Sequence, residues 1–86
     1  MKNAVLIRDS VAKPVECSLT ILEIMAQQNS ALSLNKISQL SGLSIKTTQR
    51  LLNTLCETGF IELDQKSESY KLTLKAFLIS TIATNG

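Results

Sequence analysis

The chain contains no histidine and no tryptophan, and it has only two cysteines, one proline, three glycines and three aromatic side chains, Phe60, Tyr70 and Phe77. Without histidine, the commonest metal ligand and the commonest general base are missing. Cys17 and Cys56 form no CxxC pair, so the sequence offers neither a zinc site nor a redox couple. They read as buried or half-buried free thiols of a reducing compartment. No carboxylates are paired at catalytic spacing, no glycine-rich loop could cradle a phosphate, and no nucleophile has a base beside it. An enzyme is therefore the least supported reading, and no metal or cofactor is expected. The apolar run at residues 4–7 is too short for a signal-peptide core, and no stretch is long enough to cross a bilayer. A cytoplasmic protein with no membrane partner is expected. With so few aromatics the core must be aliphatic. Hydrophobic residues make up 44% of the 86, which suits one small globular domain burying roughly 60% of its unfolded surface.

Acidic residues are also missing from one long stretch. None lies between Glu23 and Glu57, and Lys36, Lys46 and Arg50 fall in that gap, although the net charge of the whole chain is only +2. A local cluster of positive charge suits a polyanion. The plainer alternative is an ordinary solvated face.

Local patterning divides the chain into elements. Residues 1–12 show no clear period and read as a flexible N-terminal arm. A first helix runs from about Pro14, a residue suited to the first helical turn, to Gln28. Val15, Leu19, Leu22 and Ala26 form one apolar stripe on it, and Cys17, Ile21 and Ile24 form a second on its back. A helix that is apolar on two sides must be covered twice, by the C-terminal helix, the N-terminal arm or another subunit. Asn29 and Ser30 end it. A short strand at residues 31–33 leads to Ser33, which caps a compact second helix over residues 34–41 with Ile37 and Leu40 turned inward. Ser41-Gly42-Leu43 is a tight turn that wants positive φ at the glycine. Ser44 then caps a third helix, residues 44–58, stopped by Gly59. At about 100° per residue, Thr48, Leu51, Leu52 and Leu55 share its inner face, while Lys46, Gln49, Arg50 and Asn53 share the outer one. From Phe60 the period changes to two. Residues 60–63 and 69–73 read as strands around a polar turn at residues 64–68, which makes a β-hairpin. Leu74, Phe77, Leu78 and Ile82 form a last helical stripe.

The resulting fold class is α+β, mainly α: a winged helix-turn-helix with a three-helix core, a short strand, a β-hairpin wing and a C-terminal linker helix. The arm covers residues 1–12, the domain 13–74, and the start of the linker helix 75–86. The sequence also resembles the N-terminal domain of IclR-type transcriptional regulators. The resemblance rests on Leu19-Thr20-Ile21-Leu22-Glu23, Leu32-Ser33-Leu34 with Ile37, and Ser41-Gly42-Leu43-Ser44. It continues through Thr47 with Arg50-Leu51-Leu52-Asn53-Thr54-Leu55, then Gly59-Phe60-Ile61 and Tyr70-Lys71-Leu72. It covers about residues 14–80. The chain departs from the family at Ile45-Lys46, where a small or basic pair is common, and at Cys17, where arginine is common. Members usually continue into an effector-binding domain, so an effector ligand is implied only if such a domain lies outside this chain. An excised domain and a complete short regulator both remain open.

A helix-turn-helix protein places the start of its recognition helix in the major groove. Double-stranded DNA is the expected partner, read by the helix at residues 44–58. Arg50 can bond guanine or phosphate with both arms, and Gln49 can pair with adenine. Thr47 can touch a thymine methyl or a phosphate. Ser44 and Asn53 lie on the same ridge. Lys46 and the N-terminus of the second helix, around Ser33 and Asn35, grip backbone, and Lys66 at the wing tip reaches the adjacent groove. Each has a plainer alternative. Thr47 can simply cap or pack, Gln49 and Asn53 suit any solvated helix, Arg50 can pair with Glu57 or Glu23, and a lysine is ordinary in a turn. A homodimer on an inverted-repeat operator is also expected, its interface formed by Cys17, Ile21, Ile24, Phe77, Leu78 and Ile82. The alternative function is a protein-interaction module that uses the apolar back face of the first helix.

Overall fold

The computed structural model describes residues 12–76 and 78. Helix α1 spans Lys13–Gln28. Pro14 stands in its first turn with Glu16, whose charge complements the N-terminal end of the helix dipole. Asn29 ends α1 in the left-handed conformation at φ 52°, and its N–H donates to the Met25 carbonyl. Strand β1, Leu32–Ser33, runs straight into helix α2, Leu34–Ser41, where Ser33 Oγ accepts from the Lys36 N–H. Helix α3 spans Ile45–Glu57, and Ser44 Oγ accepts from the Thr47 N–H. Both serine caps satisfy donors that the first turn of a helix leaves without partners.

The α2–α3 turn is held by side chains as well as by Gly42, which sits at φ 77°. Ser38 Oγ donates to the Leu43 carbonyl, and Ser41 Oγ accepts from the Leu43 N–H at 3.3 Å. Leu43 packs against the core. Past α3, Gly59 at φ 90° turns the chain into strand β2, Ile61–Asp64, which pairs with strand β3, Ser69–Leu72. The sheet is antiparallel in the order β1-β3-β2. Tyr70 is opposite Leu32 on one side and Leu63 on the other. At the hairpin turn the Lys66 N–H donates to Asp64 Oδ1, and Glu68 takes a positive φ. Residues 74–76 and 78 are helical. They are tied to α3 through Lys75, whose Nζ donates to the Thr58 carbonyl at 2.6 Å and lies 4.8 Å from the Phe60 ring centroid.

The core is Ile21, Met25, Leu32, Ile37, Leu52, Leu55, Ile61 and Tyr70, aliphatic apart from one ring. Each such side chain contributes about 1.5–3 kcal/mol through burial. Among the described residues no helix is long and apolar enough to cross a membrane.

Three expectations from the sequence need correction. Ile21, placed on the back of the first helix as a dimer contact, is 0% exposed and belongs to the chain's own core, with Ile24 packed against that core and Cys17 half-buried. The outward stripe is the other one, where Val15 is 58% and Leu19 57% exposed. Leu40, expected to face inward, is 41% exposed. Ser38 takes the inner position, because its hydroxyl is satisfied by the turn that it closes. The strand expected over residues 60–63 is shifted to Ile61–Asp64. The N-terminal arm at residues 1–11, with Phe77 and Ile82, lies outside the described residues.

Two buried hydroxyls should respond oppositely to removal. Ser38→Ala leaves the Leu43 carbonyl without its partner and should cost about 1–2 kcal/mol in urea unfolding. Thr48, fully buried, has a hydroxyl with no partner among the described residues. Thr48→Val keeps the shape, removes the unpaired group, and should stabilise by about 1 kcal/mol in the same measurement.

Candidate nucleic-acid interface

The outer face of α3 is built by the same periodicity that buries its inner face. Thr48, Leu52 and Leu55 are buried, with Leu51 partly so, while Lys46, Arg50 and Asn53 are exposed. Arg50 pairs with neither Glu57 nor Glu23. Among the described residues the ion pairs are Lys13–Glu16 on α1 and Lys71–Glu62 on the hairpin. The Arg50 guanidinium therefore meets solvent with its donors uncommitted. Thr47 donates its backbone N–H to the Ser44 cap, and its side chain is half-buried beside Lys46.

Gln49 is less free than its neighbours. It is half-buried, and its Nε2 donates to Asn53 Oδ1 at 3.0 Å and to the Tyr70 hydroxyl at 3.2 Å. Tyr70 was not singled out as a site residue from the sequence; the only signal was its place as the aromatic of the returning strand. Gln49, Tyr70, Ser33, Asn35, Leu63 and Gln65 line a cleft of about 540 Å³ between α3, the start of α2 and the hairpin. Ser33 and Asn35 are exposed there, close to the free N–H groups of α2. Lys66 is exposed at the hairpin turn between the sequence neighbours Asp64 and Glu68, so its charge is offset locally more than those of Lys46 and Arg50.

A second, larger groove of about 1030 Å³ lies along the outward stripe of α1, lined by Val15, Leu19, Leu22, Leu51, Phe60 and Leu72, among others. Cys56 is half-buried, and burial pushes its thiol pKa up, so the residue is biased towards the protonated, poorly nucleophilic form. Among the described residues no three His, Cys, Asp or Glu side chains gather as metal ligands.

A three-helix core with a tight α2–α3 turn, an exposed polar face on α3 and a following hairpin defines a winged helix-turn-helix domain. Residues 15–65 match the IclR helix-turn-helix domain, and the chain belongs to that family of transcriptional regulators. It is 35% identical over 65 residues to the HTH-type transcriptional regulator XynR of Escherichia coli K12, covering 76% of this chain and 26% of XynR. An IclR family transcriptional regulator from Brucella abortus superposes with a TM-score of 0.83 over 91% of this chain and 30% of its own, at 20% identity, a likeness of fold. A chain from Silicibacter sp. TM1040, assigned as an ICLR transcriptional regulator, gives a TM-score of 0.72 at 27% identity over 81% of this chain and 28% of its own. The chain thus spans about a quarter of the length of XynR.

Proposed function

We propose that this domain binds double-stranded DNA sequence-specifically, with α3 in the major groove. The observation that carries the proposal is the exposed ridge of Lys46, Arg50 and Asn53, with neither Lys46 nor Arg50 held in an ion pair among the described residues, on the second helix of a helix-turn-helix. Arg50 contacts a guanine edge or a phosphate. Lys46 and Thr47 contact backbone or a thymine methyl, and Gln49 and Asn53 contact base edges. Ser44 is positioned where α3 begins. Phosphates meet the N-terminus of α2 at Ser33 and Asn35, where free N–H groups and the helix dipole favour an anion. Lys66 extends the footprint to adjacent backbone.

The domain acts as a homodimer on an inverted repeat. Its apolar contact is the outward stripe of Val15 and Leu19, continued by exposed Leu74 and Leu78, in place of the Cys17–Ile21–Ile24 face that the core already occupies. The large groove beside this stripe also supports the second reading, a docking surface for another protein. Salt separates the two readings. DNA binding falls steeply as salt rises, by about 0.9 in log K per log unit of salt for each phosphate contacted, whereas apolar docking does not.

Arg50→Ala should leave the melting curve unchanged and weaken binding to a duplex selected from genomic DNA by about 1–3 kcal/mol; equal affinity in a gel-shift titration overturns the groove assignment. Leu19→Glu should shift the sedimentation profile at micromolar concentration from dimer towards monomer while the helical circular dichroism stays intact. A wild-type protein that sediments only as monomer and footprints a single half-site overturns the homodimer.

A further inference from the structure

The hydrogen bonds at Gln49 constrain what that residue can read. Its amide has two hydrogens on Nε2 and a carbonyl, Oε1. Asn53 Oδ1 takes one hydrogen from within α3, and the Tyr70 hydroxyl oxygen takes the other from strand β3. Tyr70 itself is fixed: it is 5% exposed and paired in register with Leu32 and Leu63. The Tyr70 side chain of the wing's central strand thus reaches α3, and both donors of Gln49 are spent inside the protein. We infer that Tyr70 is a specificity-determining residue that acts through Gln49, holding its amide so that only Oε1 is offered to a base.

The consequence follows from base-edge chemistry. A free glutamine bonds adenine with both ends, Nε2–H to N7 and Oε1 to the N6 amine. A clamped one keeps only the second bond, and the N4 amine of cytosine supplies the same donor. At the base pair that Gln49 faces, the wild-type protein therefore accepts adenine and cytosine nearly alike and rejects guanine and thymine, which present acceptors. Removing the Tyr70 hydroxyl releases one Nε2 hydrogen, restores the adenine N7 bond, and favours adenine over cytosine by about three- to tenfold, the value of one net hydrogen bond.

This inference rests on the DNA-binding reading, and the test keeps the two apart. The 86-residue protein and three variants, Tyr70→Phe, Asn53→Ala and Gln49→Ala, are each used to select duplexes from a randomised DNA pool, with sequencing of the enriched fraction. Gln49→Ala marks the operator position concerned by loss of preference there. At that position wild type should enrich adenine and cytosine equally, and Tyr70→Phe should move to adenine by the stated factor while the rest of the motif is kept. Asn53→Ala frees the other hydrogen and should move the same position the same way, which preserves the test if Tyr70→Phe unfolds. A wild-type motif with both variants unchanged at that position, or a shift towards guanine or thymine, overturns the clamp and leaves DNA binding standing. No enrichment by the wild type overturns the DNA-binding reading and the clamp with it.

Discussion

The angle between α2 and α3 is the constraint on which the rest of the domain depends. It is set over a few residues. Gly42 supplies a left-handed backbone that other residues enter only with strain. The hydroxyls of Ser38 and Ser41 bind both polar groups of Leu43, and the Leu43 side chain packs on the core. Once that angle is set, α3 can lie only one way up, because Thr48, Leu52 and Leu55 are its sole buried face. Its polar residues are therefore outward by default. α3 is held from behind by aliphatic burial and needs no ion pair of its own to stay in place.

The sheet extends this logic to the wing. β3 is its central strand, and bonds just past its end tie it to the residues that follow α3. Thr73 donates its N–H to the Phe60 carbonyl and its hydroxyl to the Gly59 carbonyl, and Lys75 meets the Thr58 carbonyl near the end of α3. A cation there suits the negative end of the helix dipole. The hairpin thus follows α3 as a unit, and Tyr70, on the same strand, reaches the outer ridge. Charge is divided between the two parts: α3 carries Lys46 and Arg50 with one acid, Glu57, at its far end, whereas the hairpin mixes Glu62, Asp64 and Glu68 with Lys66 and Lys71.

The surface along α1 has a different character. The outward stripe of α1 and the groove beside it leave apolar surface in water that the small core of a chain this size does not reach. Leu51, Thr54 and Leu55 of α3 line the same groove, whereas Lys46, Arg50 and Asn53 do not.

Much of the fold is legible from sequence because it is written in interactions that span four residues or fewer. Ser33 and Ser44 cap as expected, Gly42 and Gly59 take positive φ, and Pro14 stands in a first turn. The polar and apolar faces of α3 also emerge from one period, because a helix with a single apolar side has a single way to bury it. Periodicity fails where two answers are locally equal. Helix α1 is apolar on two sides, and only packing against α2, α3 and the sheet selects Ile21 and Met25 over Val15 and Leu19. Leu40 and Ser38 exchange places for a similar reason: the turn provides a partner for the hydroxyl, which no hydrophobicity scale foresees. The link from Gln49 to Tyr70 joins residues 21 apart in sequence. Sequence by itself determined the elements, their caps and the ridge; tertiary structure alone decided which face became core and that both donors of Gln49 are bonded within the domain, because both depend on what a distant strand or helix brings within bonding distance.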